Sequence, residues 1–254
     1  MDTFRRVTLA MSGLTAALFI LLLLPGWASA QPKLDLGLDH FKCYFTRPDK
    51  SLFEPVRLED QFDAADKIVE DVRVLVAVRF CNPVKKIRGG QVTSILNPDH
   101  HLTLYLIAPT APTPARLVMV KNQFGVRKLK VFDPEVLAVP TQKAPHPPPV
   151  GLDHFKCYRT YGTPINTVVS LEDQFHREPE VRVVEPFGLC NPVEKEHPPE
   201  SVTPIKNPKA HLVCYKITPT PITKILTVVN QFGPQTLVVR DADLLCVPSE
   251  KRVL

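Results

Sequence analysis

Apolar and polar residues alternate along most of this chain with a period of two, the spacing of strands rather than helices. In residues 39–44, Phe41 and Cys43 fall on one side while His40, Lys42 and Tyr44 fall on the other. That is the pattern of a half-buried strand. Further β-rich runs lie at 168–173, 181–184, 210–217, 226–229, 236–239 and 244–247, with turn residues between them. Asn230-Gln231-Phe232-Gly233 separates two such runs and predicts a hairpin loop with glycine supplying the positive φ; Asn122 to Gly125 repeats it. Prolines 83, 98, 192 and 208 are expected to end strands or lie on edges. About seven short strands per hundred residues, without a long helical pattern, predict an antiparallel β-sandwich, with a small open barrel as the competing architecture.

The pattern occurs twice. Gly37-Leu-Asp-His-Phe-Lys-Cys-Tyr44 returns unchanged at 151–158. Leu-Glu-Asp-Gln-Phe (58–62, 171–175), Cys-Asn-Pro-Val (81–84, 190–193) and Asn-Pro-x-x-His-Leu (97–102, 207–212) follow in the same order in both copies. The expected organisation is therefore all-β: two tandem antiparallel β-sandwich-like domains, disulfide-stapled, at 37–140 and 151–251. Between them, residues 141–150 contain Pro145-His146-Pro147-Pro148-Pro149, which reads as a semi-rigid polyproline spacer of about 3 Å per residue. Two domains on such a linker would allow bivalent binding.

The cysteines sharpen this picture. Cys43 and Cys157 are equivalent, as are Cys81 and Cys190, while Cys214 and Cys246 correspond to Leu104 and Ala138 in the first copy. Because the last two are missing together, the first copy has no stranded half-cystine. The pairing that satisfies both copies is Cys43–Cys81, Cys157–Cys190 and Cys214–Cys246. Paired cysteines in turn imply an oxidising compartment, and residues 1–30 read as a signal peptide: Arg5 and Arg6, an apolar run through Leu24, a Pro25-Gly26 break and Ala28-Ser29-Ala30. The mature chain is expected to be exported, periplasmic or extracellular after cleavage near Ala30, without a membrane span. The full sequence has a formal charge of +5, with acidic and basic residues mixed along it, which argues against a nucleic-acid groove.

Candidate chemistry comes from polar positions kept in both copies. His40, Lys42 and Tyr44 with His154, Lys156 and Tyr158 are the ligand-binding candidates, being on the strand face opposite the cysteine. Asp39, His40, His101, Asp153, His154 and His211 are weaker candidates for a metal site, imidazole and carboxylate being common ligands. Glu59-Asp60-Gln61 and its twin read as a solvated face or as turn-stabilising acceptors rather than as paired catalytic carboxylates. No catalytic residue or cofactor is implied: no serine is kept in both copies and Gly-x-Ser-x-Gly is absent.

The ordered series Asp-His-Phe-Lys-Cys-Tyr, Cys-Asn-Pro-Val, Asn-Gln-Phe-Gly and Leu-Cys-Val-Pro-Ser resembles an uncharacterised family of exported bacterial tandem-repeat domains of unknown function. The resemblance supplies no activity. The resulting expectation is a non-enzymatic binding or cell-envelope structural module with an unknown extracellular or envelope ligand; a metal-dependent enzyme or metal-binding protein using the repeated His and Asp positions is the alternative.

Overall fold

The computed structural model describes residues 36–109, 113–198 and 202–254; the expected signal peptide lies outside them. Among the described residues, the first copy contributes β1 (Phe41–Pro48), β2 (Glu54–Asp60), α1 (Gln61–Asp66), β3 (Glu70–Pro83), β4 (Lys85–Arg88), β5 (Gln91–Thr93), β6 (His101–Pro109), β7 (Arg116–Asn122) and β8 (Gly125–Lys143). The second contributes β9 (His154–Gly162), β10 (Thr167–Glu172), β11 (Arg177–Glu196), β12 (His211–Thr220), β13 (Lys224–Asn230) and β14 (Gly233–Val253).

The all-β, antiparallel, disulfide-stapled character is as expected, but the copies do not form two separate sandwiches. Strand pairing runs β1–β3–β6–β8 within the first copy and β9–β11–β12–β14 within the second. It then closes between copies through β8–β9 and β14–β1. The result is a closed antiparallel ring of eight strands, four from each copy, and the described chain is one compact unit. Closure pairs the edge that each four-stranded half would leave open. Residues 141–150 are accordingly no spacer: Thr141 to Lys143 complete β8, and the remainder links two directly paired strands.

Inside the ring lies one apolar layer. Cys43 faces Cys81, Cys81 faces Leu102, Leu104 faces Ala138, and Ala138 faces Phe155. Cys190 faces Leu212, Cys214 faces Cys246, and Cys246 faces Phe41. The bridges Cys43–Cys81, Cys157–Cys190 and Cys214–Cys246 lie in this layer, paired as the duplication requires.

A second, larger core covers the outer face of the ring and includes Tyr44, Phe80, Tyr105, Tyr158 and Tyr215, with residues of β2, β7, β10 and β13 packed over them. Both faces of β1 and β9 are therefore buried at their starts, where the period-two pattern predicts one buried face. The runs expected as separate strands at 236–239 and 244–247 merge into β14, and 181–184 becomes part of the longer β11. Register shifts around Pro186 let β11 keep pairing as it bends. Pro192 lies within β11, paired with Phe155.

Candidate functional site

The polar residues repeated in both copies converge at two buried centres, each assembled from both halves. The centre around Lys156 starts from α1. Asp60 ends β2 and caps this short helix: its Oδ1 accepts from the backbone N–H of Phe62 (2.8 Å) and Asp63 (3.2 Å), and Asp63 Oδ2 accepts from Asp60 N–H (2.8 Å). This is a capping box. Asp60 Oδ2 remains to accept from Tyr158 Oη (2.9 Å) and Asn191 Nδ2 (2.8 Å). Lys156 Nζ donates to both oxygens of Asp63, at 2.8 Å each, and to Glu70. Lys251 Nζ donates to Asn191 Oδ1 (2.6 Å) and lies 4.1 Å from the Phe62 ring centre.

The centre around Lys42 repeats this plan with the copies exchanged. Asp173 Oδ1 accepts from Phe175 and His176 N–H, and Oδ2 accepts from Tyr44 Oη (2.6 Å) and Asn82 Nδ2 (3.1 Å). Lys42 Nζ donates to Glu178. Phe175 meets Tyr44 edge-on at 5.1 Å, as Phe62 meets Tyr158 at 5.1 Å. Each Asp-Gln-Phe segment thus completes the polar centre of the other copy.

Among the charged residues that face the two lysines, the twins differ after the phenylalanine: His176 stands where Asp63 follows Phe62 in the first copy. Burial lowers the Lys42 pKa to about 8, against the pull of Asp173. Burial also disfavours the Lys156 ammonium, but Asp60, Asp63 and Glu70 outweigh it and hold the pKa above its ordinary value. Tyr44 and Tyr158 are held as phenols by burial and by the carboxylates they bond.

The Asn-Gln-Phe-Gly hairpins make a second reciprocal exchange. Asn122 Nδ2 donates to Tyr215 Oη (2.8 Å) and Ser249 Oγ (2.9 Å), while Asn230 Nδ2 donates to Tyr105 Oη (2.8 Å) and Thr141 Oγ1 (3.1 Å). The turns place Gly125 at φ 99° and Gly233 at φ 82°, the region open to glycine. Next to these asparagines, the Gln123 side-chain amide pairs with His40 Nε2, and Gln231 Oε1 lies 2.9 Å from His154 Nε2.

The ligand-binding candidates therefore do share a face, but one closed to solvent: Lys42, Tyr44 and Lys156 are 0% exposed and Tyr158 1%. The metal candidates sit in three different places. Asp39 accepts from Leu96 N–H (2.6 Å) and Asn97 N–H (3.0 Å), and Asp153 from Lys206 and Asn207 N–H, so both acids hold loops of their own copy. His40 and His154 pair with the hairpin glutamines, and His101 stacks on Phe80 at 5.5 Å. Among the described residues, no group of three or more His, Cys, Asp or Glu is placed to hold a metal ion. Asp60 and Asp173 act as turn-stabilising acceptors, the second of their two expected roles, and their remaining oxygens make them pivots of the two centres. The available signal was that Asp-Gln-Phe and the lysines at 143 and 251 recur at matching places in both copies.

A family model described as a repeat of unknown function (DUF7450) matches residues 101–248. The chain belongs to this family. No curated protein and no solved structure matched it. The DUF7450 match starts at β6 and ends in β14, so it spans the β8–β9 junction through which the copies join.

Proposed function

We propose that this DUF7450 chain is an exported, non-enzymatic module that binds a ligand of the extracellular space or cell envelope. The observation that carries this reading is the fate of the repeated polar residues. The side chains that would have to form a shared catalytic site, Lys42/Lys156, Tyr44/Tyr158 and Asp60/Asp173, are spent on locking one copy to the other. What the duplication preserves is a frame, and recognition is left to the surface. Three disulfides fit an oxidising compartment, and no helix among the described residues is long and apolar enough to cross a membrane.

Fractionation of cells producing the full chain, with N-terminal sequencing of the product, tests export. A mature protein starting near Gln31, with all cysteines oxidised, is the expected product. Precursor of full size held in the cytoplasm with reduced thiols would refute export. The binding role is tested by retention of the mature protein on isolated cell envelopes; complete recovery in the unbound fraction would count against it.

A further inference from the structure

The duplication provides an internal control, since each surface feature of one half can be compared with its twin. Past Ser249, β14 continues alongside β7, with Lys251 facing Val120, Arg252 facing Met119 and Val253 facing Val118. At the twin position, β8 stays with β13 only as far as Lys143, which faces Val228. The chain then folds back: His146 N–H donates to Lys143 C=O (2.7 Å), and Gln142 Nε2 donates to His146 C=O (2.8 Å). The His146 ring lies edge-on to His101 at 5.6 Å, with its Nδ1 2.9 Å from Asp99. The connector thus covers the space beside His101.

Beside His211, the twin of His101, there is instead a cleft of about 560 Å3, within the range that holds small molecules. Met119, Val126 and Pro208 give it an apolar wall. Its rim carries Lys121, Lys209 and Arg252, where the covered half has Val229, Asp99 and Ala144. The open half has therefore gained three cations relative to the closed one, and has exchanged the acid Asp99 for another, Glu250, at the twin of Gln142. One acid, Glu250, is present and is held 3.8 Å from Lys121. At the floor, His211 is 4% exposed and its Nδ1 has no hydrogen-bond partner. Lys251 beside it is lowered to about 7, first by burial and further by Arg116, against Asp60. An arriving anion would favour its charged form.

We infer that this cleft binds a small amphiphilic anion, with a carboxylate or phosphate headgroup against Lys209, Arg252 and Lys251 and an aliphatic body along Met119, Val126 and Pro208. The inference rests on reading the chain as a binding module and adds to it a site and a ligand class. Apolar burial contributes affinity, and the charge contrast with the twin supplies selectivity for anions.

Titration calorimetry on the purified mature protein tests this with decanoate, decyl phosphate, decanol and inorganic phosphate. At least one of the two amphiphilic anions is expected to bind at one site, and the tighter of them assigns the headgroup. Decanol and inorganic phosphate are each expected to bind at least tenfold more weakly. The double variant Lys209→Asp, Arg252→Ala installs the twin residues at two exposed positions and is expected to lower the anion's affinity at least tenfold with the melting temperature unchanged. If the double variant melts lower, Arg252→Ala alone is expected to weaken binding with melting unchanged. Equal binding of decanol, undiminished binding by the variants, or no binding of either anion would overturn the assignment. Since the protein is purified, a failure of export leaves this result unaffected and tests the other reading alone.

Discussion

Lys42 and Lys156 occupy the same place in a repeated octet and are equally buried, yet they meet different electrostatics because Asp63 in one centre is replaced by His176 in the other. Removing Lys156 leaves Asp63 and Glu70 facing each other without a cation. Lys156→Met is therefore expected to cost about 3–5 kcal/mol in denaturant unfolding, the range for breaking one side of a buried ion pair. Lys42→Met leaves one carboxylate, Glu178, that Thr220 Oγ1 also bonds, and is expected to cost clearly less; equal losses would show that the second acid does not matter. Buried imidazoles give a pH signature. Burial is the leading cause that lowers His101 and His211 to about 3 and His154 to about 4, from 6.5. A base whose pKa is depressed by folding contributes its stability in full above pH 6.5, and loses it as pH falls from there towards the folded value. The slope is about 1.4 kcal/mol per pH unit for each histidine. Neither ring nitrogen of His101 has a hydrogen-bond partner, so His101→Phe keeps the stack on Phe80 and is expected to flatten the melting profile between pH 6.5 and 4. An unchanged profile would remove His101 from the linkage. At this scale the sequence pattern groups Lys42 with Tyr44 on the face opposite Cys43 but leaves the burial of that face unread, because a period of two reports which residues share a face and not what covers it. For Asp60 the turn-stabilising role was legible but the helix cap was not, because its capping partner, Asp63, lies in a helix too short to show a helical period.

Among the strands, the disulfide register was legible because the two copies differ at two positions together. In the structure those positions, Leu104 and Ala138, face each other directly across β6 and β8, as Cys214 and Cys246 do across β12 and β14. The double variant Leu104→Cys, Ala138→Cys is therefore expected to form a fourth bridge. Closing a loop of this length contributes roughly 3–4 kcal/mol on the chain-entropy model, less the volume lost at Leu104. Non-reducing peptide mapping and a rise in melting temperature would report it; two titratable thiols in the folded protein would mean that the register is wrong. Strand ends were less legible. β8, β11 and β14 each continue through polar or proline-containing stretches, such as Arg240-Asp241 in β14, that read as turns in isolation. There a register shift lets the strand change partners, and that choice is made by tertiary packing rather than local composition.

Over the whole molecule, each copy alone satisfies its own hydrophobic pattern, so sequence could not distinguish two self-contained sandwiches from one ring shared by both. The choice is fixed by residues that look symmetric in sequence and act in exchange: Asp60 serves Tyr158, Asp173 serves Tyr44, Asn122 serves Tyr215 and Asn230 serves Tyr105. The chain has the internal logic of a twofold dimer whose subunits have been joined through residues 144–153, because the strand pairings that close the ring and the Asp–Tyr and Asn–Tyr bonds of one copy are returned at its twin. A single copy would expose the edges of β9 and β14 and leave Lys156 without Asp63 and Glu70. Residues 151–254 produced alone are therefore expected to assemble as a twofold pair, with β14 of one chain beside β9 of the other and the lysine centre completed by the partner's Asp173 and Glu178. Light scattering should give twice the chain mass, with both disulfides intramolecular. Glu178→Ala, which removes the carboxylate offered to the buried lysine, should weaken this pair. A folded, protected monomer of residues 151–254 would mean instead that each copy is self-sufficient, and that the exchange of strands and side chains is a convenience of the tandem rather than the condition of its folding.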